Sequence, residues 1–117
     1  YAATATPGYL GDLKEKIRKA KETDGFRFVQ VFDPCPEGWK FEADKTVEIS
    51  KLAVQTGMWV LAESEHGDVE LTRRPAEREP VDEYLKLQGR FQHLTEEEIE
   101  SIQAAVDDHW ARYTGGD

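Results

Sequence analysis

The order of the first segments constrains the fold of this 117-residue chain more than any other feature of its sequence. Residues 1–6 and residues 26–32 are short runs that can form β-strands, and a helical pattern with one apolar stripe separates them. A strand, a helix and a second strand that is apolar on both faces indicate a parallel sheet in an α/β domain. Because two parallel strands are too few to stand alone as an open sheet, we expect the chain to pack against further polypeptide.

The helix between these strands is predicted by spacing. Asp12 and Glu15 are three residues apart, as in a capping box, and predict its first turn. The apolar residues Leu13, Ile17 and Ala20 then recur at helical spacing up to about residue 22. We expect this stripe to face the core.

A second helix is predicted between Asp44, which can cap its first turn, and Gly57, which favours the position after the last turn. Its expected inward face follows i, i+3, i+4 and i+7 spacing and consists of Ile49, Leu52, Ala53 and Thr56. The pattern predicts one helix with a single buried face.

The second half of the chain begins with a predicted hairpin. Residues 58–63 and residues 69–73 have the composition of two strands, and the turn between them contains His66 and Gly67, where glycine supplies a positive φ. Residues 75–80 are polar and bounded by proline, which predicts a linker.

Two helices are predicted after the linker. The first begins at Pro80 and stops at Gly89. Its expected buried face consists of Val81, Tyr84, Leu85 and Gln88. Thr95 and Glu98 form a capping box for the last helix, which the glycines at 115–116 end. The apolar face of that helix consists of Ile99, Ile102, Val106 and Trp110.

Together these elements predict an α/β fold in two parts. Residues 1–57 resemble the trailing part of a doubly wound α/β domain, and residues 58–117 resemble an α+β extension made of a hairpin and helices.

Composition excludes several function classes. The formal net charge of -9 repels nucleic-acid phosphates and anionic lipid headgroups, so we expect neither as a partner. No apolar run approaches the roughly 20 residues that cross a membrane. The first residues also lack the charged and apolar regions of a signal peptide. One cysteine argues against a disulfide-stapled secreted scaffold, and we expect a cytoplasmic, reducing location.

That single cysteine, Cys35, follows the second predicted strand on a loop that Pro34 and Pro36 stiffen. The carboxyl end of such a strand is where α/β folds bind ligands. The residues leave three roles open. A nucleophile would need a base, and the histidines lie elsewhere in the sequence, at positions 66, 93 and 109. A buried structural thiol is common. An iron–sulfur ligand would need three further thiolates from outside the chain.

Two other clusters have simpler explanations. Residues 96–98, all glutamate, could suggest a metal site, but in the first turn of a helix they complement its dipole. Trp39, Trp59 and Trp110 could form a stacking platform, but tryptophans more often pack in a core or an interface. Glycine-rich phosphate loops, HExxH and GxSxG motifs are absent from the sequence. No residue is therefore expected to be catalytic in this chain alone.

Four segments in the same order carry a resemblance to a known family. Residues 32–39, with the Pro-Cys-Pro loop, and residues 45–59 resemble the β subunit of pyruvate:ferredoxin oxidoreductase, also called pyruvate synthase. Residues 1–7 and residues 80–95 are similar to two further segments of that subunit. The resemblance covers essentially the whole chain and corresponds to about the last third of the subunit, its carboxyl-terminal part.

The resemblance implies an activity and its cofactors. The family oxidatively decarboxylates pyruvate with coenzyme A to acetyl-CoA and CO2, and passes electrons through 4Fe–4S clusters to ferredoxin. Its β subunit binds thiamine diphosphate and Mg²⁺ in an α/β domain, to which residues 1–57 would belong. Residues 58–117 would be the family's carboxyl-terminal extension.

The resemblance also implies a role for Cys35, which matches a late cysteine ligand of the cluster nearest to thiamine diphosphate. The family's Cys-x-x-Cys pair, third cysteine and glycine-aspartate magnesium motif are absent here. We therefore expect this piece to need the rest of its subunit, the other subunits and ferredoxin. The form Cys-Pro-Glu-Gly-Trp fits the pyruvate branch. The alternative is a non-catalytic subunit-docking module with a buried structural cysteine.

Overall fold

The computed structural model describes residues 1–115, and the predicted stop at Gly116 lies outside them. Four strands lie in this part of the chain: β1 (Ala2–Ala5), β2 (Phe28–Val31), β3 (Ala62–Glu65) and β4 (Asp68–Leu71). The α-helices are α1 (Leu10–Glu22), α2 (Pro36–Trp39), α3 (Thr46–Thr56), α4 (Val81–Leu85) and α5 (Glu96–Thr114). Short 3-10 turns occupy Pro7–Tyr9, Ala43–Lys45 and Gly89–Phe91. None of the helices in residues 1–115 has the length and apolar character that a bilayer crossing requires.

The strands form one mixed sheet in the order β2-β1-β3-β4. β1 and β2 are parallel, as the strand–helix–strand order predicts, with Ala2 opposite Phe28 and Ala5 opposite Val31. β3 runs antiparallel to β1, and β4 runs antiparallel to β3. The mixed α/β class is thus confirmed. The sheet also continues across residue 57, because the first strand of the second half pairs directly with β1.

β2 lies at the edge of the sheet and is exposed, which differs from the prediction of a buried strand. Phe26 just before it is 82% exposed, and Phe28 and Val31 within it are 52% and 44% exposed. The sequence is apolar on both faces here, but no layer formed by residues 1–115 covers these side chains. Apolar residues on both faces are typical of a strand that lies between two layers. The layer that would cover β2 is not among residues 1–115.

α1 begins at Leu10, and its buried residue is a lysine. Lys16 is only 1% exposed, whereas Ile17 from the expected apolar stripe is 49% exposed. The predicted inward face is confirmed only in part, because Leu13 and Ala20 are half-buried and Ile17 is exposed. The predicted capping role of Asp12 is wrong. Asp12 lies inside the first turn and accepts a hydrogen bond from Lys16 at 2.7 Å. The facing strand carries small residues, Ala3 and Ala5, which leave room for the aliphatic stem of the lysine.

α3 confirms its predicted face and its predicted end. Ile49, Ala53 and Thr56 are fully buried, and Leu52 is half-buried. Gly57 ends the helix with a φ of +89°. The predicted cap is wrong, because Asp44 lies in the preceding 3-10 turn and residue 45 occupies the cap position with no side-chain hydrogen bond.

The hairpin is confirmed, although β3 begins four residues later than predicted. His66 and Gly67 form a two-residue turn between the paired residues Glu65 and Asp68. Both turn residues have positive φ, +54° and +92°, as tight hairpins require.

Residues 75–80 contain neither helix nor strand, as a linker would, but they are held against the helices. The Arg78 guanidinium donates to the Thr56 carbonyl at 3.3 Å and to Asp107 at 2.8 Å. It also lies 5.5 Å from the centre of the Trp110 ring. This connection therefore fastens α3 to α5.

The last two helices confirm their predicted faces. The expected face of the first is buried at every position: Val81, Tyr84, Leu85 and Gln88. The predicted stop at Gly89 is wrong, because α4 ends at Leu85 and Gly89 begins the following 3-10 turn. In α5, Val106 and Trp110 are buried, whereas Ile99 and Ile102 pack half-buried beside α4. The capping box is present, because the Glu98 N–H donates to Thr95 Oγ1 and the Thr95 N–H donates to Glu98 Oε1. Gly115 ends α5 with a φ of +72°.

Candidate functional site

The turn that carries Cys35 starts where β1 and β2 end. The Phe32 N–H donates to the Ala5 carbonyl at 2.9 Å, and Thr6 Oγ1 donates to the Phe32 carbonyl at 2.7 Å. Thr6 is fully buried, so this junction is fixed in the core. Cys35 therefore lies just beyond the carboxyl edge of the parallel strand pair, the edge at which α/β sheets place ligands.

The turn itself is short and closed by backbone hydrogen bonds. The Trp39 N–H donates to the Cys35 carbonyl at 2.9 Å, and the Phe41 N–H donates to the Pro36 carbonyl at 3.1 Å. Lys40 ends the single helical turn with a φ of +58°, which is uncommon for a residue with a side chain. With φ fixed at Pro36 and at the buried Pro34, the turn has little conformational freedom.

Cys35 is exposed in this structure, so residues 1–115 do not bury it as the alternative of a structural cysteine expects. The neighbouring residue Pro34 is buried instead. A β-carbon added at Gly38 would lie 3.4 Å from the Cys35 sulfur. Glycine at this position therefore leaves one flank of the sulfur open to a ligand.

The three histidines lie on other elements than the Cys35 turn. His66 is in the hairpin turn, His93 precedes α5, and His109 is on α5, where its ring contacts Tyr113 at 5.2 Å between centroids. All three side chains are exposed, and none hydrogen-bonds Cys35 within residues 1–115. The geometry therefore gives no support to a cysteine–histidine nucleophile.

The tryptophans pack in the core, as predicted, and two of them lie behind the Cys35 turn. Phe32 contacts the Trp39 ring at 5.5 Å and the Trp59 ring at 5.4 Å between centroids. The Trp59 indole N–H donates to the Ala5 carbonyl at 3.0 Å. Trp110 packs in a separate cluster with residues of β3 and β4. The aromatic group around Phe32 thus joins the turn to the sheet.

Residues 88–91 contact the turn from the other side, which sequence reasoning missed. The Gly89 N–H donates to the Lys40 carbonyl at 2.7 Å. The Arg90 guanidinium carbon lies 3.8 Å from the centre of the Trp39 ring. The sequence pattern predicts only a helix stop at Gly89. The one sequence feature that could have indicated this contact is the Gly-Arg pair at 89–90, which lies in a segment that resembles the family.

Tyr84 and Gln88 are buried beneath the contact between residues 88–91 and the Cys35 turn. Gln88 donates to the Tyr84 carbonyl at 2.9 Å and accepts from Arg90 Nε at 2.8 Å. Burial raises the pKa of the Tyr84 phenol, although Gln88 and Arg90 act in the opposite direction. The phenol therefore stays neutral near pH 7, and its oxygen can accept the 3.3 Å hydrogen bond from Arg90.

Residues 96–98 have the helix-terminal role predicted for them. The backbone N–H and the hydroxyl of Thr95 lower the pKa of Glu98, which keeps its carboxylate charged within the capping box. Within residues 1–115, no three His, Cys, Asp or Glu side chains form a group that could hold a metal ion. Any metal bound through Cys35 must therefore take its other ligands from elsewhere.

Comparison with known proteins gives close relatives for nearly the whole chain. No protein-family model matches it. Pyruvate synthase subunit PorB of Methanothermobacter thermautotrophicus is 53% identical over 107 residues, which cover 92% of this chain and 37% of the relative. PorB of Thermotoga maritima is 45% identical, with 96% of this chain and 36% of the relative covered. Ketoisovalerate oxidoreductase subunit VorB of Pyrococcus abyssi is also 45% identical, with 96% and 37% covered.

The chain thus spans a little over one third of the length of the curated relatives it matches. The alignments with VorB of Pyrococcus abyssi and PorB of Thermotoga maritima cover 96% of the chain. The chain is homologous to the carboxyl-terminal part of pyruvate synthase subunit PorB and of its relative VorB, and so belongs to this family of oxidoreductase subunits.

Proposed function

We propose that this chain is the carboxyl-terminal part of the β subunit of a pyruvate:ferredoxin oxidoreductase. The complete enzyme would convert pyruvate and coenzyme A to acetyl-CoA and CO2 in the cytoplasm, and would pass the two electrons released to ferredoxin through 4Fe–4S clusters. The piece described here would not catalyse alone, because it offers one cysteine and no metal-binding group within residues 1–115.

Cys35 is the proposed contribution of this chain to the cofactors. A 4Fe–4S cluster needs four thiolates, and it supplies one-electron transfer when bound. The exposed Cys35 thiol, on a turn stiffened by proline at the carboxyl edge of the sheet, fits the role of one such ligand. The other three thiolates, thiamine diphosphate and Mg²⁺ would be held by the rest of the complete subunit. The exposed thiol on this turn is the observation that carries the proposal.

The uncovered surface around β2 supports the proposal that more of the subunit packs here. Phe28 and Val31 on the edge strand are exposed, as is Phe26 just before it. Leu10 and Ile17 are exposed on α1. A surface of this kind is unusual in a monomeric protein. The relatives contain nearly two thirds of their length outside the matched region, which can cover it. Residues 1–57 would then complete a thiamine-diphosphate-binding domain, and residues 58–117 its extension.

The same surface favours a second candidate, a non-catalytic docking module for other subunits. In that case Cys35 would be exposed without binding iron, and the hairpin and helices would serve assembly alone. The two candidates differ in whether the cluster depends on Cys35, which the experiments in the Discussion measure.

The substrate assignment is tested with the complete complex. Purified complex should oxidise pyruvate in a coenzyme A-dependent reaction that reduces ferredoxin, and should do so with a higher kcat/KM than it shows for ketoisovalerate. The control omits coenzyme A. A preference for ketoisovalerate would overturn the pyruvate assignment, and no oxidation of either acid would overturn the proposed function.

A further inference from the structure

The Cys35 turn is held in place by a segment about fifty residues further along the chain, residues 88–91. The first contact is made by backbone. The Gly89 N–H donates to the Lys40 carbonyl at 2.7 Å. A β-carbon at Gly89 would lie 2.6 Å from the β-carbon of Lys40 and 3.0 Å from its carbonyl oxygen. Only glycine leaves the space for this approach.

The second contact is made by the Arg90 side chain. Its guanidinium lies 3.8 Å from the centre of the Trp39 ring, as in a cation–π pair. Hydrogen bonds to Gln88 at 2.8 Å and to the Tyr84 hydroxyl at 3.3 Å fix the plane of the guanidinium. Because Gln88 is fully buried and Tyr84 nearly so, this arrangement rests on the core.

Both contacts reach the residues that close the turn. Trp39 donates its backbone N–H to the Cys35 carbonyl, and Lys40 is the next residue. We propose that Gly89 and Arg90 brace this turn and are positioning residues for the Cys35 thiolate, an inference that rests on the proposed role of Cys35 as a cluster ligand. The placement of a thiolate and the contacts around it tune the reduction potential and the spectrum of an iron–sulfur cluster.

The brace is tested first by hydrogen exchange in the complete subunit, where the amides of the turn are followed by mass spectrometry. Gly89→Ala forces Lys40 away, so the amide hydrogens of Trp39 and Phe41, which close the turn, should exchange about tenfold faster or more. Arg90→Lys keeps the charge but loses the planar contact, and should act in the same direction. Gly11→Ala is the matched control, since an added β-carbon there meets nothing within 4 Å. Unchanged exchange in both turn variants would overturn the brace.

The positioning of the thiolate is tested in the complete complex. Gly89→Ala should shift the electron paramagnetic resonance signals and the midpoint potential of one reduced cluster. Trp110→Phe, which loosens a different cluster of core residues, should leave both unchanged. If exchange in the turn accelerates but the cluster is unaffected, while Cys35→Ser does alter it, the positioning role fails and the ligand role stands. If Cys35→Ser also leaves the cluster unaffected, the proposed function itself fails.

Discussion

Cys35→Ser in the complete oxidoreductase should lower pyruvate-dependent reduction of ferredoxin by more than the roughly 100-fold that loss of an outer-shell partner of a metal ligand can cost. Serine is a poor replacement for a soft thiolate on iron. The exposed position of Cys35 means that the substitution leaves no cavity, so the free energy of unfolding should change by only about 0.5 kcal/mol. The measurement combines ferredoxin reduction, the electron paramagnetic resonance spectrum of the reduced complex, and its iron content.

The matched control is Glu37→Ser, which places serine at another exposed position of the same turn and keeps the thiol. It should retain the cluster signals. Full electron transfer in Cys35→Ser would contradict the ligand role. Loss of folding without any change in the cluster spectrum would contradict it as well, and would favour the docking module.

The second large effect is expected at Lys16, whose side chain is 1% exposed and whose ammonium donates to three acceptors at 2.7 Å. These are the Thr4 carbonyl on β1, the Asp12 carboxylate on α1 and the Thr72 hydroxyl after β4. Burial lowers the pKa of Lys16, although Asp12 acts against this effect. Lys16→Met keeps the aliphatic volume but leaves the Asp12 charge and the other acceptors unpaired. We expect unfolding in urea to become easier by about 3 kcal/mol.

The design includes a second variant that separates the charge from the packing. Asp12→Asn combined with Lys16→Met removes both charges, and should recover part of the lost stability because no unpaired carboxylate remains. Gly11→Ala, beside Asp12 on the exposed side of α1, should not destabilise the fold, and should stabilise it by up to about 1 kcal/mol because alanine favours a helix. A stability equal to that of the unchanged chain in Lys16→Met would show that the three hydrogen bonds do not hold β1, α1 and the hairpin together.

The parts of the fold that depend on local sequence were predictable. The Thr95–Glu98 capping box, the turn at His66 and the end of α3 at Gly57 each involve residues a few positions apart. Their chemistry is complete within the segment, so the pattern determines the outcome. The same holds for the placement of Cys35 after a strand of the parallel pair.

The sequence predictions are wrong where contacts between residues distant in sequence determine which side chains are buried. Lys16 is buried because acceptors from β1 and from Thr72 converge on its ammonium, which no periodicity can show. Phe28 is exposed because no element of residues 1–115 packs on β2, although the apolar sequence of β2 is typical of a buried strand. At the site, the approach of Gly89 to Lys40 joins residues 49 positions apart and depends on the packing of α4.

The central claim, that Cys35 binds iron, is tested most directly by mapping its alkylation in the native complete enzyme. Anaerobic treatment with iodoacetamide, followed by mass spectrometry of the Cys35 peptide, would be done before and after the iron is removed with a chelator. The account predicts an unmodified Cys35 while the clusters are intact and a modified Cys35 after the iron is gone. Modification of Cys35 to the same extent in both samples would contradict it.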